Sequence, residues 1–118
     1  MTKLVKVSEW IEELSEEVSA KNENFEIWNE TQRIGHACMV ITENDGDEYR
    51  YLERIEIGEE HQGKGHGTEA IREMAKIYRN IYFAPDNEGA QRLYERIATE
   101  TTDDFMRMSD QGYGVYEI

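Results

Sequence analysis

Three glycines alternate with polar residues in the segment Gln62-Gly63-Lys64-Gly65-His66-Gly67, and an amphipathic stretch follows them. Glycine permits positive φ angles and lets another group approach the main chain closely. From Thr68 to Tyr78 the apolar residues recur with helical spacing, so this glycine loop ends at a predicted helix start. The unpaired N–H groups and the positive dipole end of such a helix bind anions. The segment therefore predicts a site for a phosphorylated ligand.

The size and composition of the chain restrict the class of protein that can carry this site. Its 118 residues predict one domain, residues 1–118. The net charge of −13 disfavours a nucleic-acid partner, because binding to phosphates needs clustered Lys and Arg. No segment resembles a signal peptide or a membrane-spanning helix, so we expect no membrane association. The single cysteine, Cys38, fits a reducing compartment, and we expect a cytoplasmic protein.

The histidines do not indicate a metal centre. His36, His61 and His66 lack the compact spacing that is typical of metal ligands. Cys38 lies among apolar neighbours, as a buried cysteine does. We therefore expect neither a bound metal nor a cysteine nucleophile.

The hydrophobic pattern before the glycine loop predicts strands and one helix. Residues 3–7 predict a short strand, and Ser8 to about Ala20 predicts a helix with Ser8 as its N-cap. Its narrow apolar stripe consists of Trp10, Ile11, Leu14 and Val18. Further strands are predicted at residues 25–29, 34–42 and 49–57. The Asn44–Asp47 segment predicts a tight hairpin turn between the last two.

The helix after the glycine loop is predicted to connect two parallel strands. Ile81–Ala84 is a short apolar run ended by Pro85, which is typical of a buried strand. Another helix is predicted with Asp86 or Asn87 as its cap. The polar residues 99–104 predict a loop, and residues 105–108 and 114–118 predict a final hairpin about residues 110–112. The predicted order is β-α-β-β-β-α-β-α-β-β. The fold class is therefore α+β, with a mixed and mostly antiparallel sheet flanked by helices.

Two known phosphate-binding motifs compare less well with the glycine loop. A Walker loop requires Lys followed by Ser or Thr, whereas Lys64 is followed by Gly65. The dinucleotide fingerprint G-x-G-x-x-A is present at Gly65–Ala70, but residues 58–64 separate it from the preceding strand. A dinucleotide-binding domain is therefore the weaker alternative.

Two segments resemble the GCN5-related N-acetyltransferases, the GNAT superfamily. Gln62–Gly67 fits the signature Q/R-x-x-G-x-G/A, and LERIEI before it is similar to the family's fourth strand. Asn87–Glu95 resembles the family's N-x-x-A-x-x-L-Y-E motif. The motifs occur in the family's order and cover about residues 49–96, whereas the rest of the chain matches by topology only. The resemblance is that of a small, divergent member with a GNAT-like fold.

The resemblance implies that the chain binds acetyl-CoA as a co-substrate. In the family, main-chain groups of the fourth strand bond the pantetheine, and the glycine loop wraps the pyrophosphate. The corresponding residues are Ile55, Glu56, Ile57, Gln62, Gly63, Lys64, Gly65, His66, Gly67 and Thr68, with Asn87 as a further cofactor contact. Asn87 is at the same time a predicted helix cap. A side chain at any of the glycines is expected to obstruct the ligand.

Tyr94 and Glu53 are the candidates for acid–base chemistry. Tyr94 matches the family's general acid, the hydroxyl that protonates the departing CoA thiolate, although its place on the apolar helix face also fits a core residue. A carboxylate on or near the fourth strand often acts as the base in this family, and Glu53 is the first candidate here. An ordinary exposed strand glutamate is its alternative.

The resemblance implies N-acetyl transfer to an amine, an acyltransferase reaction of the EC 2.3.1 type. The glutamates concentrated in residues 8–30 would attract a cationic acceptor, such as a polyamine, a lysine side chain or a protein N-terminus. The chain departs from the family's usual Y-E-x-x-G-F, because Tyr94-Glu95-Arg96 is followed by Ile97-Ala98-Thr99. It also departs in the short region before the second strand. A weak or inactive GNAT-fold module that binds acyl-CoA or a protein is therefore an alternative. The oligomeric state is open, with a homodimer as one outcome.

Overall fold

The chain builds a seven-stranded sheet and two helices within residues 2–44, 46–102 and 115–118, which the computed structural model describes. The strands are β1 (Thr2–Glu13), β2 (Val18–Asn29), β3 (Gln32–Asn44), β4 (Asp47–Ile57), β5 (Ile81–Phe83), β6 (Glu100–Thr102) and β7 (Val115–Glu117). The helices are α1 (His66–Ile77) and α2 (Glu88–Ile97), and a 3₁₀ turn covers Glu59–His61. The sheet order is β1-β2-β3-β4-β5-β7-β6, with β4 and β5 parallel and the other described neighbours antiparallel. The predicted α+β class, with its mixed and mostly antiparallel sheet, is confirmed.

The hairpin between β3 and β4 follows the sequence prediction. The ends of the Asn44–Asp47 turn pair with each other, and Gly46 has a φ of +85°, a conformation that favours glycine. Asp45 lies outside the described residues. Farther along the same strand pair, a Cβ added to Gly35 would lie 2.1 Å from the main-chain oxygen of Glu56. Glycine therefore permits the close approach of β3 to β4 at this point.

The predicted helix over residues 8–20 is wrong. This segment instead completes β1, turns at residues 14–17 and begins β2. At the turn, the Ser15 hydroxyl accepts hydrogen bonds from the N–H groups of Glu17 and Val18 at 3.3 and 3.2 Å. The apolar spacing suits a helix, but pairing of β1 with β2 along its length bonds the main chain and overrides local propensity. The observed order is thus β-β-β-β-α-β-α-β-β.

Helix α1 is the predicted crossover between parallel strands. β4 and β5 pair in parallel at Arg50–Ile81 and Tyr51–Tyr82. The helix begins at His66, two residues before the predicted start, and packs on β1 and β4. Its fully buried side chains are Ala70, Ile71 and Met74. They join one continuous apolar cluster with residues of the sheet and of α2.

A buried hydrogen bond joins the end of α1 to β2. The Tyr78 hydroxyl donates to the carboxylate of Glu23, which is only 4% exposed. The Nζ atom of Lys21 lies 3.2 Å from the other oxygen of that carboxylate. Burial, and then this hydrogen bond, raise the pKa of Tyr78 above its ordinary value. Glu23 thus packs between β2 and α1, although the sequence places it in a segment of otherwise solvated glutamates.

Helix α2 and the last two strands complete the sheet. The Asn87 Oδ1 atom accepts a hydrogen bond from the Ala90 N–H at 2.8 Å, so the predicted N-cap is confirmed. β6 pairs with β7, so the loop predicted over residues 99–104 is wrong where it overlaps β6; strand pairing outweighs its polar composition. β7 coincides with the second arm of the predicted final hairpin. The first arm and its turn, residues 105–112, lie outside the described residues.

Candidate active site

β4 and β5 diverge after two residue pairs and leave a cavity between them. β5 ends at Phe83, whereas β4 continues to Ile57 with β3 as its one described neighbour. Residues 52–57 of β4 line the cavity, so the edge of this strand that is not paired with β3 presents main-chain N–H and C=O groups to it. The cavity volume is about 830 Å³. Ligand sites typically measure roughly 300–1,000 Å³.

A β-bulge places Glu53 at the start of this divergence. Cys38 lies opposite Arg54 and Met39 lies opposite Leu52, so Glu53 is the extra residue of β4. A bulge bends its strand and redirects a side chain. Glu53 is exposed and lines the cavity. The predicted base is therefore located at the point where β4 leaves β5.

Two glycines of the loop are required by backbone conformation. Gly63 and Gly65 have φ angles of +77° and +83°, which L-residues with side chains rarely adopt. A Cβ added at either position would meet no described atom within 4 Å, so space inside the protein is not the constraint. Gly67 differs, because its added Cβ would lie 3.7 Å from Leu93 and 3.9 Å from Ile57, on the cavity wall. Obstruction of a ligand at these positions stays a prediction.

The glycine loop presents a run of unpaired main-chain donors. Gln62 folds back onto β4, where its Nε2 atom donates to the Ile57 carbonyl at 2.9 Å. In the described part of the chain, the N–H groups of residues 63–68 pair with no other main-chain group. Glu69 is the first to do so, with the Gly65 carbonyl at 3.0 Å. Consecutive free N–H groups at a helix start, beside the exposed Lys64, can bind a phosphate.

Tyr94 of α2 reaches the same cavity from the other side. Its side chain is 6% exposed and lines the cavity, and its ring packs edge-on against Phe83 with 4.4 Å between centroids. Burial, and then the negative charge of Asp86, raise the pKa of Tyr94 to about 12. The hydroxyl therefore keeps its proton at neutral pH. A protonated phenol at this place can act as a general acid.

Two further polar side chains lie beside the cavity. The buried Nδ1 atom of His66 has no hydrogen-bond partner within the described residues. Buried polar atoms are normally paired, so a ligand or water is expected to complete this one. Asn87 lines the cavity; besides capping α2, it donates from Nδ2 to Asp86 at 2.9 Å. Its predicted contact with a cofactor stays a prediction.

The structure brings most of the predicted site residues to one cavity. Those that line it are Glu53, Ile55, Glu56, Ile57, Gln62, Gly67, Asn87 and Tyr94. Those that lie in the adjoining loop and helix start without lining it are Gly63, Lys64, Gly65, His66 and Thr68. Sequence reasoning missed the opposite wall, formed by residues 82–86 and Leu93. A signal existed, because the carboxyl ends of neighbouring parallel strands lie at the same edge of a sheet.

The other chemical features of the described residues are few. Cys38 is half-buried, and burial followed by the charge of Glu53 raises the pKa of its thiol. No group of His, Cys, Asp and Glu side chains within residues 2–44, 46–102 and 115–118 is arranged to hold a metal ion. Neither α1 nor α2, the helices of these ranges, has the length and apolar character needed to cross a membrane.

Comparisons with known proteins point to one family. The sequence model of the family described as Acetyltransferase (GNAT) family matches residues 4–98. A solved structure of a GNAT-family protein from Bacteroides thetaiotaomicron superposes with a TM-score of 0.54 at 19% identity, over 81% of this chain and 59% of that one. This likeness shows the shared fold, and the chain spans about 59% of the length of that protein. No protein with curated annotation matches the chain.

Proposed function

This chain belongs to the GNAT family of acetyltransferases, and we propose that it transfers an acetyl group from acetyl-CoA to an amine. The observation that carries this proposal is the cavity between the diverging strands β4 and β5. Gln62 and Gly67 of the glycine loop, Glu53 of the bulge and Tyr94 of α2 all line that one space. An anion site, a free strand edge and a protonated acid are thus available to one extended ligand.

The glycine loop and β4 fit the non-reacting parts of acetyl-CoA. The free N–H groups of residues 63–68 and the charge of Lys64 suit the pyrophosphate. The edge of β4 at residues 55–57 suits the amide groups of the pantetheine, which bond an exposed strand edge as another strand would. The hydrogen bond between Gln62 and Ile57 occupies one carbonyl of that edge and anchors the loop to it. Gly67 keeps the wall between the two regions free of a side chain.

Acetyl-CoA supplies the activated acetyl thioester, and the chain supplies position and proton transfer. The neutral amine attacks the thioester carbon, so that a C–N bond forms and the C–S bond breaks. Glu53 is the proposed acceptor of the amine proton, and Tyr94 is the proposed donor to the departing thiolate. Holding the amine and the thioester together contributes by removing the entropy cost of their encounter. Proton transfer by placed groups contributes about 10²–10⁴ in rate.

The proposed acceptor is a cationic amine, such as a polyamine, a lysine side chain or a protein N-terminus. The whole chain carries a net charge of −13. The cavity lining also contains three acidic side chains, Glu53, Glu56 and Asp86, against one basic side chain, Arg54. The negative electrostatic potential of these charges raises the local concentration and the association rate of a cation, and salt weakens both effects.

A thiol-release assay with acetyl-CoA and a panel of amines tests this function. We expect CoA release that depends on the amine, is faster for cationic amines, and slows with added salt. The Glu53→Gln variant keeps the size of the side chain and should lower turnover without changing acetyl-CoA affinity. If the protein binds acetyl-CoA but no amine of the panel raises CoA release above the rate without protein, catalysis is contradicted.

A second candidate function is a GNAT-fold module that binds acyl-CoA or a protein without turnover. The resemblance implies helices between the first two strands that shape the acceptor site, whereas β1 and β2 are joined here by a short turn. A thermal-shift screen with acetyl-CoA, CoA and NAD separates the alternatives. Stabilisation by both CoA ligands without thiol release supports the module, and stabilisation by NAD alone supports a dinucleotide-binding domain.

A further inference from the structure

Strand β1 leaves an open edge along one side of the molecule. It is the outermost strand of the described sheet and pairs with β2 on one side only. It is 12 residues long and contains no proline. Natural proteins usually blunt such an edge by making it short, by proline or by charges, because an exposed row of N–H and C=O groups recruits another strand. β1 is neither short nor interrupted by proline, and apolar side chains are interspersed with its charged ones, so its edge is open to pairing with another strand.

The side chains along this edge include large apolar groups in contact with solvent. Val7, Trp10 and Ile11 are 54%, 50% and 71% exposed, and Leu14 at the turn is 56% exposed. Leu4 and Val5, nearer the start of the strand, are partly buried. An exposed apolar group of this kind on an open strand edge marks an interaction surface.

We propose that β1 pairs antiparallel with β1 of a second copy of this chain, about a two-fold axis between Val7 and Ser8. In this register the residue numbers of opposing positions add to 15. Ile11 then lies opposite Leu4 of the second copy, and Trp10 lies opposite Val5. Each exposed apolar side chain in the second half of the strand thus meets an apolar partner, as favourable cross-strand pairs require.

A β-bulge in β1 makes this register sterically consistent. Residues directly opposite each other in an antiparallel pair must point to the same face of the sheet, whereas an odd sum would place them on opposite faces in a regular strand. The pairing with β2 skips Val7, since Lys6 is opposite Phe25 and Ser8 is opposite Asn24. The extra residue inverts the alternation, so positions before and after it match.

The faces can be followed from the pairing with β2. Leu4 lies opposite Ile27, and Ile11 lies opposite Lys21, six residues earlier on that strand. Because β2 side chains alternate with a period of two, Leu4 and Ile11 share one face. By the same reasoning Val5 and Trp10 share the other face, together with Lys3 and Glu12, which lie opposite Trp28 and Ala20.

The charges of β1 are complementary in the same register. Lys3 faces Glu12 of the second copy, and Lys6 faces Glu9. Lys3 and Glu12 are exposed and form no ion pair with a described residue, whereas Lys6 already lies 2.9 Å from Glu9 of its own strand. In the dimer, the Lys6 and Glu9 side chains of the two copies would then form a group of four alternating positive and negative charges about the axis. The charge pattern therefore favours a second copy in this register, and a basic peptide would find Lys3 and Lys6 unfavourable.

Reciprocal charge reversal tests the proposal on the full chain. Sedimentation velocity or light scattering after gel filtration should show a dimer. Lys3→Glu and Glu12→Lys each place like charges opposite each other twice per dimer, so each should weaken the dimer by roughly tenfold or more. A mixture of the two variants should form heterodimers, and the double variant should recover the wild-type affinity. Glu16→Lys changes the charge equally at the turn, beyond the proposed pairs, and should dimerise like the wild type.

Three results would overturn the proposal: a monomeric wild type, single variants that dimerise as tightly as the wild type, or a mixture that fails to associate. The exposed positions make unfolding of the variants unexpected, and circular dichroism checks it. Ile11→Ser, at the most exposed apolar position of the strand, supplies a second measure and should weaken the dimer without a change of charge.

Discussion

Replacing Tyr94 by phenylalanine separates its proposed catalytic role from its place in the core. The substitution removes one hydroxyl and keeps the ring, whose edge-on contact with Phe83 has 4.4 Å between centroids. The raised pKa of about 12 means that this hydroxyl is protonated throughout the neutral range. If the proposed role is right, its loss should affect the departure of the CoA thiolate at every pH at which thiol release is assayed.

The expected effects differ greatly between rate and stability. A positioned general acid contributes about 10²–10⁴ in rate, which corresponds to about 3–5 kcal/mol of activation free energy. The Tyr94 hydroxyl makes no hydrogen bond with a described residue. Since it bonds none of these residues, its removal should change the free energy of unfolding by less than about 1 kcal/mol. The acetyl-CoA affinity should stay unchanged, because the proposed role of the hydroxyl is to protonate the leaving thiolate.

Tyr116 offers a matched control on the same aromatic cluster. It is 5% exposed, stacks on Phe83, and donates from its hydroxyl to Glu95 at 3.0 Å, but it does not line the cavity. Tyr116→Phe should therefore lower the free energy of unfolding by about 0.5–1.5 kcal/mol and leave turnover intact. Thiol release gives kcat, calorimetric titration gives the acetyl-CoA affinity, and urea unfolding gives the stability of each variant.

Two results would refute this assignment. If Tyr94→Phe keeps full turnover, the hydroxyl is not the acid, and the residue serves the core alone. If both variants lose the same activity, the effect comes from the packing around Phe83 and not from the proton. A loss of activity in Tyr94→Phe that follows a loss of acetyl-CoA affinity would place the hydroxyl in ground-state binding.

Three further predictions concern the loop, the sheet and the pH dependence. Gly65→Val forces a branched residue into a φ of +83°, which costs about 1–3 kcal/mol of strain, and should abolish acetyl-CoA binding. Gly46→Val is the control: it introduces the same strain at a φ of +85° in the hairpin turn and should keep the acetyl-CoA affinity measured by calorimetry. Gly35→Ala sets a Cβ 2.1 Å from the Glu56 carbonyl and should cost about 1–3 kcal/mol or more in urea unfolding, and an unchanged midpoint would contradict it. The pKa of Tyr94 is about 12 in the folded protein and 10.0 ordinarily, so between these pH values the native state keeps a proton that the unfolded chain releases. Up to about 2–3 kcal/mol of the free energy of unfolding should therefore be lost as the pH rises through this range. Tyr94→Phe should lack that loss, and identical pH profiles for variant and wild type would argue against it.

The parts of the site that the sequence could predict are those set by local backbone chemistry. Gly63 and Gly65 adopt the positive φ angles for which glycine is suited. Asn87 caps α2 through its own side chain, and the crossover helix lies between parallel strands as its spacing indicated. Each of these features depends on a few neighbouring residues, so the sequence contains the whole cause.

The parts that it could not predict depend on distant partners. The acidic segment 8–20 has a helical apolar spacing, yet β2 pairs with it and makes it a strand and a turn. Glu23 is buried because Tyr78, at the end of α1, donates a hydrogen bond to it. The β1–β2 pairing extends from a short turn to Thr2 opposite Asn29, and Tyr78 lies 55 residues from Glu23, so neither contact is set by a few neighbouring residues.

The amino-acid sequence by itself determined the glycine loop, the helix that follows it, the cap of α2 and the resemblance to an acetyltransferase family. The tertiary structure alone decided that β4 and β5 separate after two residue pairs, because a bulge at Glu53 bends one strand and the other ends at Phe83. That separation creates the cavity and brings Tyr94 to the same space as the loop. Backbone conformation is a property of a few adjacent residues, whereas a cavity exists only where elements far apart in the chain are packed together.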